Sequence, residues 1–276
     1  MILQGDALTT LHTLPSSSVN MAITSPPYWS LRDYNVTGQL GLEPTYDEYI
    51  GNLCAVFDEV KRVLRPDGTC WVNLGDSYSG SSVGHPSKRQ KKVQRFGCTI
   101  PPTPRSDIPR KSLSLIPFRF AIEMVRRGWI LRNTICWHKP NVIPESVRDR
   151  FTIDFEYLFF FVQSPRYSFQ QQFEPATDRG TLRRGVYMRN KRCVWSIPTR
   201  PFAGNHFATF PEALLEVPIQ AGCPDGGVVL DPFLGSGTTA VVAERLGRRW
   251  IGIELNPAYV ELAHERLQLA AVSAQS

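Results

Sequence analysis

The chain has 276 residues, is 42% hydrophobic and 20% charged, and carries a formal net charge of +6. Such a length suits one large α/β domain, or a core with a smaller appendage, and leaves room for a substantial interior. It has no apolar run of about eighteen residues or more, the N-terminal MILQGDALTT lacks a basic-then-apolar layout, and the six cysteines form no C-x-x-C pair; a membrane span, a leader, a zinc site and a disulfide framework are therefore not expected, and cytoplasmic residence with reduced thiols is.

The first apolar run, VNMAITS (residues 19–25), reads as a strand, and it ends in TSPPYW (residues 24–29). Proline lacks an amide hydrogen and fixes φ, so Pro26 and Pro27 end any sheet ladder and leave a rigid, extended elbow. YDEYIGNLCAVFDEVKRVL then has the period of an amphipathic helix, RPDG is a turn and TCWVNLG a strand. Residues 77–112, rich in Pro, Ser and Lys, show no period and read as a long loop. IPFRFAIEMVRRG and WILRNTICWHK repeat the helix–strand alternation, and EYLFFFVQSP is a strong strand. After an Arg-rich inserted region at residues 170–205 come the strand GVVLDPF, the helix TTAVVAERLG, the strand RWIGIEL, and a helix capped by Asn256 with Pro257 in its first turn. This alternation predicts a parallel sheet covered by helices.

The charge is concentrated. Residues 77–111 hold eight Lys/Arg against one Asp, a local sum of +7, and residues 179–200 hold seven with no acid, another +7; the rest of the chain sums to −8. One such run is usually a solvated loop, but two that together exceed the whole net charge point to a polyanion such as nucleic acid.

DPFLGSGTT (residues 231–239) lies where a strand meets a helix, and Gly235 and Gly237 would let a ligand approach the backbone. The stretch lacks the Lys of a P-loop and the third Gly of a dinucleotide fingerprint. Glu254 ends the following strand seventeen residues past Gly237, where an acid can accept hydrogen bonds from ribose hydroxyls. An adenosine-containing cofactor without a pyrophosphate fits the combination; packing glycines and a helix-capping Glu are the plainer alternative.

Together, TSPPYW, DPFLGSGTT and IGIEL resemble the catalytic motif, the cofactor loop and the ribose-binding strand end of the amino-group DNA methyltransferases that use S-adenosylmethionine. The catalytic motif precedes the cofactor loop, which is similar to the permuted beta subclass. GDAL (residues 5–8), LEPTYDEYI, RGWILRNTICWHKPN and HFATFPEALLEVPI extend the resemblance to about residues 2–268. It implies a Rossmann-like α/β methyltransferase fold, a twisted, mostly parallel sheet with helices on both faces. The implied division is a catalytic part at residues 1–169, a small DNA-recognition region at 170–205 and a cofactor-binding part at 206–276 of the same core.

The same resemblance implies that Ser25 and the Pro26 carbonyl accept the two hydrogens of an exocyclic base amino group, that Pro27 stiffens the elbow and that Tyr28 stacks on a base flipped out of the duplex. Transfer would be a direct displacement with no covalent intermediate. Ser rather than Asp at the first motif position points to cytosine N4, with adenine N6 as the alternative and an RNA or protein-glutamine methyltransferase as a lower one. Asp6, Asp231, Phe233, Gly235, Gly237, Thr239, Glu254 and His206 would bind S-adenosylmethionine, although Thr239 serves equally well as a helix start. Lys88, Arg89, Lys91 and Lys92 would track phosphates. Arg183, Arg184, Arg189, Lys191 and Arg192, with Tyr187 and Trp195 among them, would read bases. The implied partners are double-stranded DNA and a cognate restriction endonuclease, with a monomer or homodimer as the working unit and no metal.

Overall fold

The computed structural model describes residues 1–80, 107–142, 145–176, 181–183, 186–199 and 210–273. In chain order the elements are β1 (Ile2–Gln4), α1 (Ala7–Leu11), β2 (Val19–Thr24), α2 (Tyr46–Val63), β3 (Leu64–Leu74), α3 (Ile116–Arg126), β4 (Ile130–His138) and β5 (Phe155–Val162). There follow β6 (Phe173–Pro175), β7 (Thr181–Arg183), β8 (Val186–Asn190), β9 (Val194–Ser196), α4 (Glu212–Gly222), β10 (Val228–Asp231), α5 (Thr238–Arg245), β11 (Arg249–Glu254) and α6 (Pro257–Ser273).

Eight strands form the main sheet in the order β1-β11-β10-β2-β3-β5-β4-β9. Pairing is parallel except where β5 runs antiparallel between β3 and β4, so the expected mostly parallel α/β sheet is what forms. β5 shows how the sequence builds it. In its unbroken apolar run, Phe159 and Phe161 turn toward one face to pack with α2 and α3, while Leu158, Phe160 and Val162 turn to the other, under α4 and α5. Period-two alternation thus buries both faces.

Helix ends follow elementary capping rules. Thr45 accepts the Glu48 N–H at the start of α2, with Asp47 and Glu48 in the first turn and Lys61 and Arg62 in the last, as the helix dipole favours. Asn256 accepts the Ala258 N–H at the start of α6. α3 takes its cap from a distance: the Asp76 carboxylate accepts the N–H groups of Leu115 and Ile116, at 3.0 and 3.2 Å, with Leu115 in the left-handed region at φ 58°.

Three features differ from the sequence reading. RPDG is not a turn before a strand; it lies within β3, and the ladder steps from Val19↔Leu64 to Met21↔Thr69, so these residues form an irregularity at the strand's start. Among the described residues, the segment at 170–205 contains four strands. β6, β8 and β7 make a separate three-stranded sheet, while β9 joins the edge of the main sheet beside β4. Trp195, expected to read bases, is only 7% exposed; it packs with Trp71 and Trp137 and donates its indole N–H to the Arg192 carbonyl at 2.6 Å. A buried indole with a satisfied donor is a core residue.

Among the described residues no helix is long and apolar enough to cross a membrane. Phe161 is fully buried against Phe120, Trp129 and Phe159, so Phe161→Ala is expected to lower unfolding stability by about 3–5 kcal/mol, measured by urea denaturation.

Candidate active site

Strand order reverses between β10 and β2: the chain steps outward from β10 to β11 on one side and from β2 to β3 on the other. In open α/β sheets the cleft beyond the strands' carboxyl ends at such a point is where ligands bind. β10 ends there in Asp231, the first residue of the Gly-rich loop, and β2 in Thr24, the first residue of the proline elbow.

The two ends are joined directly. Asp231, 1% exposed, accepts the Thr24 hydroxyl at 2.6 Å on Oδ1, the Thr239 hydroxyl at 2.5 Å on Oδ2, and the Phe233 N–H at 3.0 Å. Burial nevertheless pushes its carboxyl up to about 6, the three donors acting in the opposite direction. Thr239 therefore holds Asp231 rather than facing the cleft.

On the loop side, Gly235 (φ 55°) donates its N–H to Glu254 Oε2 at 2.8 Å, and Asn256 donates to Oε1 at 2.8 Å. Both carboxylate oxygens of Glu254 are oriented, and burial raises its pKa above the usual carboxylate range. Gly237 (φ 82°) starts α5, and a Cβ there would lie 3.1 Å from that of Ala263 on α6. Asp6 caps α1 by accepting the Thr9 N–H at 2.8 Å, and its neighbour Gly5 donates to the Glu254 carbonyl at 2.9 Å, so Asp6 shares this edge of the sheet.

On the elbow side, Tyr49 of α2, fully buried, donates its hydroxyl to the Pro27 carbonyl at 2.7 Å. Among the described residues nothing hydrogen-bonds the Pro26 carbonyl. Trp29 fills the core edge, its indole donating to the Glu43 carbonyl at 3.0 Å. Tyr28 is partly exposed, but its hydroxyl meets Glu156 Oε2 at 2.8 Å, Asn73 Oδ1 at 3.3 Å and Ser25 Oγ at 3.5 Å. Burial, then the neighbouring Glu156 charge, holds the phenol well above its usual range, hence neutral. Lys139 forms an ion pair with the other oxygen of Glu156 and lies 4.4 Å from the centre of the Trp137 ring. Gly75 makes room: a Cβ there would come within 2.9 Å of the Tyr28 ring and 3.2 Å of Glu156.

Glu156, Lys139 and Asn73 do not follow from the motifs. Two signals for them existed: a charged residue opening the apolar EYLFFFV, and Asn73, 3% exposed in an apolar strand. Because β5 is antiparallel, its first residues reach the same edge as the last of β3 and β4.

The basic residues are distributed unevenly. Arg189 and Arg192 both bind Glu174 Oε1, at 2.9 and 2.6 Å, and Lys191 sits 5.3 Å from the Trp195 ring centre. Tyr187 is exposed, and Arg183 lies on β7. Lys88, Arg89, Lys91, Lys92, Arg184 and His206 lie outside the described residues.

Similarity to known proteins agrees with this geometry. A family profile described as DNA methylase, for N6 and N4 methylation, matches residues 19–265. The chain belongs to the N6/N4 DNA methylase family. It is 46% identical to the type II methyltransferase M.XycI of Xanthomonas campestris pv. cyanopsidis, over 97% of this chain and 87% of the relative. To M.SmaI of Serratia marcescens it is 43% identical, over 96% and 90%. Among solved structures, TTHA0409 of Thermus thermophilus in complex with S-adenosyl-L-methionine superposes with a TM-score of 0.64 at 28% identity, covering 98% of this chain and 95% of that one. The cytosine-N4-specific PvuII DNA methyltransferase, at 22% identity, shares the fold with a TM-score of 0.69 over 96% and 85%.

In this methylase the Thr24–Asp231 contact is open to test through pH. The native state retains a proton on Asp231 that an unfolded chain releases near the ordinary pKa of about 4, so this stabilising contribution is complete below about pH 4 and is lost as pH rises through about 6. Thr24→Val removes a donor to the ionised form. Urea unfolding is expected to show a loss of about 1–3 kcal/mol at pH 7.5 and a smaller one at pH 5.

Proposed function

We propose that this DNA methylase transfers a methyl group from S-adenosylmethionine to the exocyclic N4 of cytosine in duplex DNA. It would be the modification enzyme of a restriction system with a cognate endonuclease, working as a monomer or homodimer. The Thr24–Asp231 hydrogen bond carries the reading, because it brings the SPPY elbow and the Gly-rich loop into one cleft at the point of strand reversal. The type II methyltransferases named above support the restriction context, and Ser25 in place of Asp supports cytosine over adenine.

The residues present fit the cofactor. The loop from Asp231 to Gly237 contains no Lys or Arg, which suits a ligand without phosphates. Glu254, half-buried and with each oxygen held by one backbone N–H, keeps acceptor capacity for a pair of ribose hydroxyls. Gly235 and Gly237 bring the backbone close without a Cβ, Phe233 offers an apolar wall, and Asp6, at the same sheet edge as Glu254, would accept from an adenine amino group. When bound, S-adenosylmethionine supplies an electrophilic methyl group on a cationic sulfur.

The chain's own part is to prepare the nucleophile. The N4 lone pair of cytosine is delocalised into the ring, and accepting both amino hydrogens favours localising it. Ser25 Oγ and the Pro26 carbonyl are the two acceptors; Tyr49 anchors the next carbonyl, so the elbow holds Pro26 in place. Tyr28 stacks on the flipped ring, and this alignment in a water-poor cleft is the main catalytic contribution. The segments at 77–112 and 170–205 meet the DNA.

Methylation of duplex DNA with labelled S-adenosylmethionine, followed by digestion to nucleosides, is expected to yield N4-methylcytosine; N6-methyladenine would overturn the base assignment, and transfer only to RNA or protein the function. Ser25→Ala should lower kcat about 10²–10³-fold with cofactor affinity unchanged.

The raised pKa of Glu254 gives a second test. Hydroxyl donors favour its ionised form, so cofactor affinity, measured calorimetrically, should increase as pH rises through that raised value and level off above it. Glu254→Gln should bind weakly and lose this part of the pH dependence.

A further inference from the structure

A serine hydroxyl can donate or accept, and the transfer proposed above needs Ser25 only as an acceptor. The groups around Tyr28 decide which. Its hydroxyl has one hydrogen, with Glu156 Oε2 at 2.8 Å, Asn73 Oδ1 at 3.3 Å and Ser25 Oγ at 3.5 Å. The carboxylate is the nearest and, ion-paired with Lys139 through its other oxygen, the only charged acceptor of the three. A charge-assisted hydrogen bond outcompetes neutral ones, so the phenolic hydrogen points at Glu156. Asn73 cannot reverse this, because its amide nitrogen is committed to the Tyr157 carbonyl at 3.1 Å and its oxygen can only accept. The Tyr28 oxygen then presents lone pairs to Ser25, whose hydrogen turns toward it; at 3.5 Å this contact orients rather than binds strongly.

From this we infer that Glu156, held by Lys139, is a positioning residue that sets the hydrogen-bond direction through Tyr28 to Ser25 and leaves the Ser25 lone pairs facing the base amino group. Glu156 does not touch the base. Its influence passes through one phenol, and a serine, equally capable of donating, is converted into the acceptor that a carboxylate would be by nature. Gly75 is part of the arrangement, since any side chain there would enter the space shared by Tyr28 and Glu156.

The inference rests on the amino-group methylation proposed above, and a double-mutant cycle separates the two. Glu156→Gln presents an amide that can donate to Tyr28 and reverse the chain. It is expected to lower the single-turnover methylation rate about 10–100-fold, with S-adenosylmethionine affinity unchanged and base flipping, read by 2-aminopurine fluorescence at the target position, retained. In a Tyr28→Phe background the chain is already cut while the stacking ring remains, so adding Glu156→Gln should change the rate less than about twofold. If Glu156→Gln does not fold, Lys139→Met, which leaves the carboxylate without its cation, takes its place in the cycle.

A Glu156→Gln enzyme with the wild-type rate, or one whose loss is as large in the Tyr28→Phe background, would overturn the inference. A wild-type protein that methylates no base amino nitrogen would overturn the function and this inference with it.

Discussion

A buried carboxylate is the junction on which the site depends. Asp231 closes β10 inside the sheet, and because β10 and β2 are neighbours at the point of reversal, its oxygens face the last residue of β2. Leaving so buried an acid without donors would be costly. Thr24, Thr239 and the Phe233 amide supply them. The groups that satisfy Asp231 belong to the two segments that the proposed transfer brings together: Thr24 begins the elbow, and Phe233 and Thr239 belong to the Gly-rich loop and its helix.

Around that junction the antiparallel strand has a particular role. In a wholly parallel sheet every loop at the active edge follows a strand, so the cleft is furnished by residues that come after apolar runs. Insertion of β5 in the opposite sense brings the start of an apolar run to the same edge, and with it Glu156. The elbow from β2, Asn73 from β3, Lys139 after β4 and Glu156 from β5 thereby converge on Tyr28. Gly75 keeps their meeting point clear.

Much of this was legible in the sequence, for reasons that also explain the rest. The long strands and helices follow the expected order because each carries enough residues for a period to show, as EYLFFFV and YDEYIGNLCAVFDEVKRVL do. β1, α1 and the strands between 173 and 196 are three to five residues long, too short for any period. The two motifs located the cleft, since strand-ending prolines and a Gly-rich turn are local signals. Lys139 escaped because its relevance comes from sheet topology, and the charge that opens EYLFFFV acquires a meaning only once that topology places Glu156 at the same edge. Trp195 was misread for the opposite reason: its arginine neighbours in sequence suggested a surface, while its indole packs beneath the sheet edge.

The clasp of Arg189 and Arg192 on Glu174 alters what the charge count means. Displacement of condensed counterions from DNA scales with the phosphates a protein neutralises, not with the cations in its sequence. Glu174 brings one negative charge to the two arginines that share its Oε1, so the trio keeps a net charge of +1 and the clasp offsets one of the seven cations between residues 179 and 200. An arginine that leaves Glu174 for a phosphate gives up one ion pair to make another, which lowers what that contact adds to affinity. The clasp ties β6 to β8 and to the residues just after it, and the charge this segment can offer a polyanion is smaller by one than the sequence count.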